Sequence, residues 1–111
     1  MDVERRRLHE HIARICAEPR PARSLALTAA RDYVASALAA SGWDCQPREF
    51  AALDEYGHQL TGINLVARHS EHRLTGRPRF IVGAHLDSRP DSPGADDNGS
   101  AVATLLEIAR L

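Results

Sequence analysis

The chain has 111 residues and a net charge of −1, and all 14 of its basic residues are arginine. This leaves no lysine for a phosphate-binding P-loop and no basic excess for gripping nucleic acid or an anionic membrane. Its 43% hydrophobic and 26% charged content is that of an ordinary globular chain. No stretch is apolar for long enough to span a bilayer, and the N-terminus MDVERRRLHEHIARIC lacks the apolar core of a secretory signal, so the cytoplasm is the expected compartment.

Leu8, Ile12, Ile15 and Cys16 form an amphipathic stripe that predicts a first helix from Asp2 to Ala17. Pro19 and Pro21 end it and impose a short link. Ser24 then caps a second helix with the stripe Leu27, Ala30, Val34, Ala37 and Leu38, and Gly42 is its natural stop. Trp43 to Leu53 reads as a strand, Asp54 to Gly57 as a turn, Leu60 to Ala67 as a second strand, and His69 to Arg77 as a polar loop. Cys16 and Cys45 are expected to be free, buried thiols. His9, His11, His58, His69 and His72 read as solvated side chains without a role.

The most informative stretch is GAHLDSRPDSPGADDNGS, Gly83 to Ser100. The apolar run Phe80-Ile81-Val82-Gly83-Ala84 predicts a buried strand whose carboxyl end delivers His85 and Asp87 into a loop, the end of a strand that faces the ligand crevice in open α/β sheets. His85 is a good zinc ligand. Asp87, two residues on in extended backbone, points to the same side and can hold the other ring nitrogen of the imidazole, which makes it an orienting support. Asp97 follows after a Pro93-Gly94 turn that folds the loop back, so its carboxylate can approach the same ion or bridge a pair. Asp96 points elsewhere. A calcium loop fails on spacing, because with Gly99 at its sixth position the first and twelfth would be Gly94 and Leu105.

GAHLDS followed by PGADDNGSAVATLLEIAR resembles the zinc aminopeptidases of metallopeptidase family twenty-eight, whose relatives include the glutaminyl cyclases. Two helices, a strand pair, and then the strand before His85 follow the order of that family. The resemblance implies an α/β chain that forms the N-terminal part of a three-layer α/β/α domain with a mixed sheet. It makes His85 a ligand of one zinc, Asp87 its catalytic support, and Asp97 the carboxylate that bridges two zincs, with a cis peptide between Asp97 and Asn98. Ala101 stands where the family usually has glycine.

The activity so implied is removal of N-terminal residues from a peptide substrate by a zinc-activated water, with a glutamate moving the proton. That glutamate and the remaining ligands come later in the family pattern and have no counterpart among these residues. Val102, Leu105, Leu106 and Ala109 keep helical spacing with no stop signal after them. Residues 1–111 are therefore expected to be the N-terminal portion of one catalytic domain, cut within a helix and inactive alone. A cyclase-like zinc acyltransferase and a non-catalytic binding module of the same fold are the alternatives. The presence of both His85 and Asp97 argues against the binding module, since a scaffold has no need of an unpaired carboxylate cluster.

Overall fold

In the computed structural model, residues 2–69 and 80–111 are described. Helix α1 spans Arg5–Ile15, shorter at both ends than its apolar stripe predicts. The residues before it are drawn away from a helical path, because the Glu4 N–H donates to the buried Glu107 carboxylate at 2.7 Å. Helix α2 spans Leu25–Ala40. Its limits follow the expected chemistry: Ser24 accepts from the Leu27 N–H at 3.0 Å, and Gly42, at φ +89°, donates to the Ala39 carbonyl in the left-handed conformation that glycine favours.

Strands β1 (Trp43–Leu53) and β2 (Gln59–His69) form an antiparallel hairpin in register from Trp43 opposite His69 to Leu53 opposite Gln59. β2 thus runs two residues past Ala67 and includes His69, which composition alone assigns to a loop. The ladder explains this, since Arg68 and His69 pair with Asp44 and Trp43. The rest of the predicted polar loop lies outside the described residues.

Phe80–Ala84 is the clear difference from the expected buried strand. The described residues contain one two-stranded sheet, and the 80–84 run pairs with neither strand. Ile81 is 97% exposed and Phe80 nearly as open. Apolar, β-branched composition favours a strand only where a neighbouring strand takes up its backbone N–H and C=O groups. Alternation does persist at the end of this run: Ala84 and Leu86 pack toward the core, while His85 and Asp87 face outward.

A wide turn over Ala95–Gly99 leads into helix α3, Ser100–Arg110. The core joins Ile15 of α1, Val34 and Leu38 of α2, and Val102 and Leu106 of α3, flanked by Trp43, Cys45, Leu65 and Ala67 from the inner half of the hairpin. Both cysteines are free, as expected, but half-buried rather than buried. No described helix is long and apolar enough to cross a membrane.

Three polar side chains depart from the apolar pattern. His11, expected in solvent, is buried, with its Nδ1 2.6 Å from the Tyr33 hydroxyl. Arg20 and Glu107 are each only 1% exposed. Glu107 lies on the inner face of α3 and accepts from Arg110 Nε at 2.6 Å, Arg110 Nη2 at 2.9 Å, Arg7 Nε at 3.2 Å and the Glu4 N–H. The forked bonds from Arg110, aided by Glu4 and Arg7, outweigh the opposing effect of burial and hold the Glu107 carboxyl down at about 2.

A carboxyl whose folded pKa is depressed stabilises the fold fully above its unfolded pKa of about 4.3 and loses that effect as pH falls toward the folded value. Denaturant melts of wild type and Glu107→Gln should therefore differ by a constant amount above about pH 5 and converge as pH drops through 4.3 toward 2. A gap that stays constant down to pH 2 would show that the carboxylate charge is not what holds α1 to α3.

Candidate metal site

The site is built on a loop whose two arms are fastened from below. On the first arm Ser88 exchanges two bonds with Arg20: its N–H donates to the Arg20 carbonyl at 2.9 Å, and its Oγ accepts from the Arg20 N–H at 2.8 Å. The Arg20 guanidinium donates from Nε to the Leu86 carbonyl at 2.9 Å. On the returning arm Nη1 donates to the Pro93 carbonyl at 2.5 Å and Nη2 to the Gly94 carbonyl at 3.5 Å. Nη1 also reaches the Ile15 carbonyl at the end of α1, at 3.0 Å.

Gly94 turns the chain at φ +63°, where a side chain would press on the Asp97 carbonyl oxygen and on Ser88 Cβ. The Gly99 N–H closes the turn onto the Gly94 carbonyl at 2.8 Å. Within the turn Asp97 leaves helical geometry, at φ −118° and ψ 83°, and the Asp97-Asn98 peptide is cis, as the family resemblance implies.

This scaffold brings the three residues singled out from the sequence together. His85 Nε2 stands 2.9 Å from Asp97 Oδ1, and on the other side of the ring His85 Nδ1 stands 3.2 Å from Asp87 Oδ1 and 3.1 Å from the Asp87 carbonyl. The side chains are open to solvent, His85 at 52% and Asp97 at 80% exposure. Burial lowers the His85 pKa, but the hydrogen bonds to Asp97 and Asp87 outweigh it, and the net shift is upward. Asp96 is exposed and takes no part in the pairing.

Every group facing the ring is an oxygen acceptor, so the arrangement calls for positive charge between Nε2 and Asp97. In the metal-free chain a ring proton can supply it. A metal ion fits the same place, since two ligands of one tetrahedral zinc stand roughly 3.3 Å apart, close to the spacing seen here. Among the described residues no group of three or more His, Cys, Asp and Glu side chains is arranged to hold an ion. An ion placed between His85 and Asp97 would need further ligands.

The sequence reading missed the supports. Arg20 lies in the proline link EPRPAR, where the one available signal was a long cationic side chain between two prolines. Ser88 and Gly99 gave none, because their partners are distant in sequence.

Comparison with known proteins accords with this geometry. Residues 64–111 match the family model "Peptidase family M28". A 29-residue stretch is 62% identical to the "Probable lipoprotein aminopeptidase LpqL" of Mycobacterium tuberculosis, covering 26% of this chain and 6% of that protein. A 30-residue stretch is 60% identical to the aminopeptidase YwaD of Bacillus subtilis, covering 27% of this chain and 7% of the relative. The fold matches the glutaminyl cyclase of Porphyromonas gingivalis with a TM-score of 0.80 at 27% identity, over 97% of this chain and 39% of the cyclase. Residues 64–111 are thus similar to peptidase family M28 and to the aminopeptidases that carry the same stretch. It spans well under half the length of these relatives and of the cyclase.

Gly99 has ordinary helical φ, so alanine there meets only a packing obstacle: its Cβ would collide with Cys16 Sγ. Gly99→Ala should cost about 1–3 kcal/mol in a denaturant melt, the range for forcing an extra carbon into a packed site. Cys16→Ala in the same chain should restore most of that loss. Failure of the double variant to recover would place the obstacle in the turn backbone instead.

Proposed function

We propose that His85 and Asp97 would be metal ligands of a zinc-dependent aminopeptidase, with Asp87 orienting the His85 ring. The observation that carries this reading is the convergence of His85 Nε2 and Asp97 Oδ1 at 2.9 Å while Asp87 occupies the opposite ring nitrogen. The family-model match and the two aminopeptidase relatives support peptides as the substrate class.

Bound zinc supplies a Lewis acid that polarises a carbonyl and brings the pKa of a water molecule near neutrality. The residues of this chain do the rest of their work through orientation. Asp87 would accept the Nδ1 proton of His85, which would fix the tautomer with Nε2 unprotonated and make the ring a stronger donor to a bound zinc. Asp97 contributes negative charge that offsets the ion. No general base is assigned among the described residues.

The structural likeness to glutaminyl cyclases, which extends over nearly the whole chain, favours one second reading: an acyl-transfer cyclisation at the same site. Substrate separates the two. A peptidase releases free amino acid from an amino-acyl chromogen, whereas a cyclase releases ammonia from an N-terminal glutaminyl peptide.

In the complete protein, His85→Ala and Asp97→Ala should each abolish turnover and lower the zinc content measured by metal analysis. The 111-residue chain by itself should show no turnover with added zinc, since two donors fall short of the three protein ligands usual at a catalytic zinc. Chelator-sensitive turnover by this chain that survives repurification would show that the ligands lie elsewhere.

A further inference from the structure

We propose that Arg20 is the positioning residue of the metal site, setting the distance between His85 and Asp97 through the backbone rather than by touching either side chain. The proposal rests on the metal-site reading above and assigns its geometric control to a residue in the proline link between α1 and α2.

The geometry of the clamp is specific. Leu86, whose carbonyl receives Arg20 Nε, lies between His85 and Asp87; Pro93 and Gly94, whose carbonyls receive Nη1 and Nη2, lead into Asp97. One planar guanidinium therefore spans both arms of the loop, and its rigid fork fixes their separation. Among the described residues every hydrogen-bond partner of the guanidinium is a carbonyl oxygen, so no carboxylate of the site is spent on neutralising it. The Arg20 backbone adds the reciprocal pair with Ser88, which locks the first arm against the link. Buried in this way, the guanidinium cannot reach solvent or substrate, and its influence on the site passes through the carbonyls it holds.

Lysine preserves the charge but presents a single nitrogen with rotatable donors, which cannot hold carbonyls on two arms at fixed spacing. In the complete protein, Arg20→Lys should weaken zinc binding by about 10- to 100-fold, the range for losing a group that orients a ligand from behind. A chelator competition reads this directly, and kcat should fall while KM changes little. Glu107→Gln is the control, because it removes a buried ion remote from the loop. Chosen at equal loss of melting temperature, it should bind zinc as wild type does.

Ser88→Ala keeps the guanidinium in place and removes one bond of the reciprocal pair, so it should weaken zinc binding in the same direction in a folded protein even if Arg20→Lys does not fold. In the metal-free protein, the NMR resonances of the His85 ring should move in Arg20→Lys and Ser88→Ala but not in Glu107→Gln. Wild-type zinc affinity and an unmoved His85 ring in folded Arg20→Lys, or in Ser88→Ala, would overturn the proposal. Unchanged zinc affinity in His85→Ala would overturn the metal site itself, a failure distinguishable from that of Arg20 alone.

Discussion

The buried guanidinium of Arg20 is the constraint on which the rest of the arrangement depends. A cation removed from water must recover its lost hydration in hydrogen bonds, and here the compensation comes from carbonyl oxygens at the end of α1 and on both arms of the site loop. These carbonyls come from segments that form no regular ladder with one another. Without the guanidinium the Leu86 and Pro93 carbonyls would lose this donor, whereas the Gly94 carbonyl would keep the Gly99 N–H. The irregular loop and the buried charge therefore satisfy each other, and neither could sit inside the protein alone.

Helix α1 shows the same logic at both ends. Its C-terminal carbonyl at Ile15 meets the positive Arg20, and the segment entering its N-terminus meets the negative Glu107 through the Glu4 N–H. Each charge has the sign that the helix macrodipole favours at that end. This matters because only His11 and Ile15 of α1 are buried, so apolar contact alone gives the helix little purchase. Its placement comes largely from two buried ions of opposite sign, one shared with α3 and one with the site loop.

What was legible in the sequence follows from how far apart the cooperating residues lie. Ser24 and Gly42 act on neighbours within four residues, and the limits of α2 were readable from them. The alternation that turns His85 and Asp87 to one side is likewise local. By contrast, Arg20 meets partners more than 60 residues away, and Glu107 meets Glu4 and Arg7 across about the full chain. Arg110 lies one turn from Glu107, but an i,i+3 pair of that kind is equally at home on an exposed helix face, and the partners that accompany its burial, Glu4 and Arg7, lie at the other end of the sequence. Phe80–Ala84 failed for a related reason, since apolar composition describes a strand's side chains and says nothing of the neighbour its backbone requires.

The site also separates chemical exposure from structural burial. His85, Asp87 and Asp97 stand open, while Arg20, Ser88, Gly94 and Gly99 beneath them are buried. Exposed side chains on a loop would ordinarily sample several rotamers and lose the fixed separation that shared coordination demands. Here the ring of His85 is held at both nitrogens, and the backbone beneath it is held by the guanidinium. Order at the exposed His85 and Asp97 side chains therefore derives from hydrogen bonds below them, where water cannot compete. This explains how a loop with almost no apolar side chains of its own can still present a histidine and a carboxylate at fixed spacing.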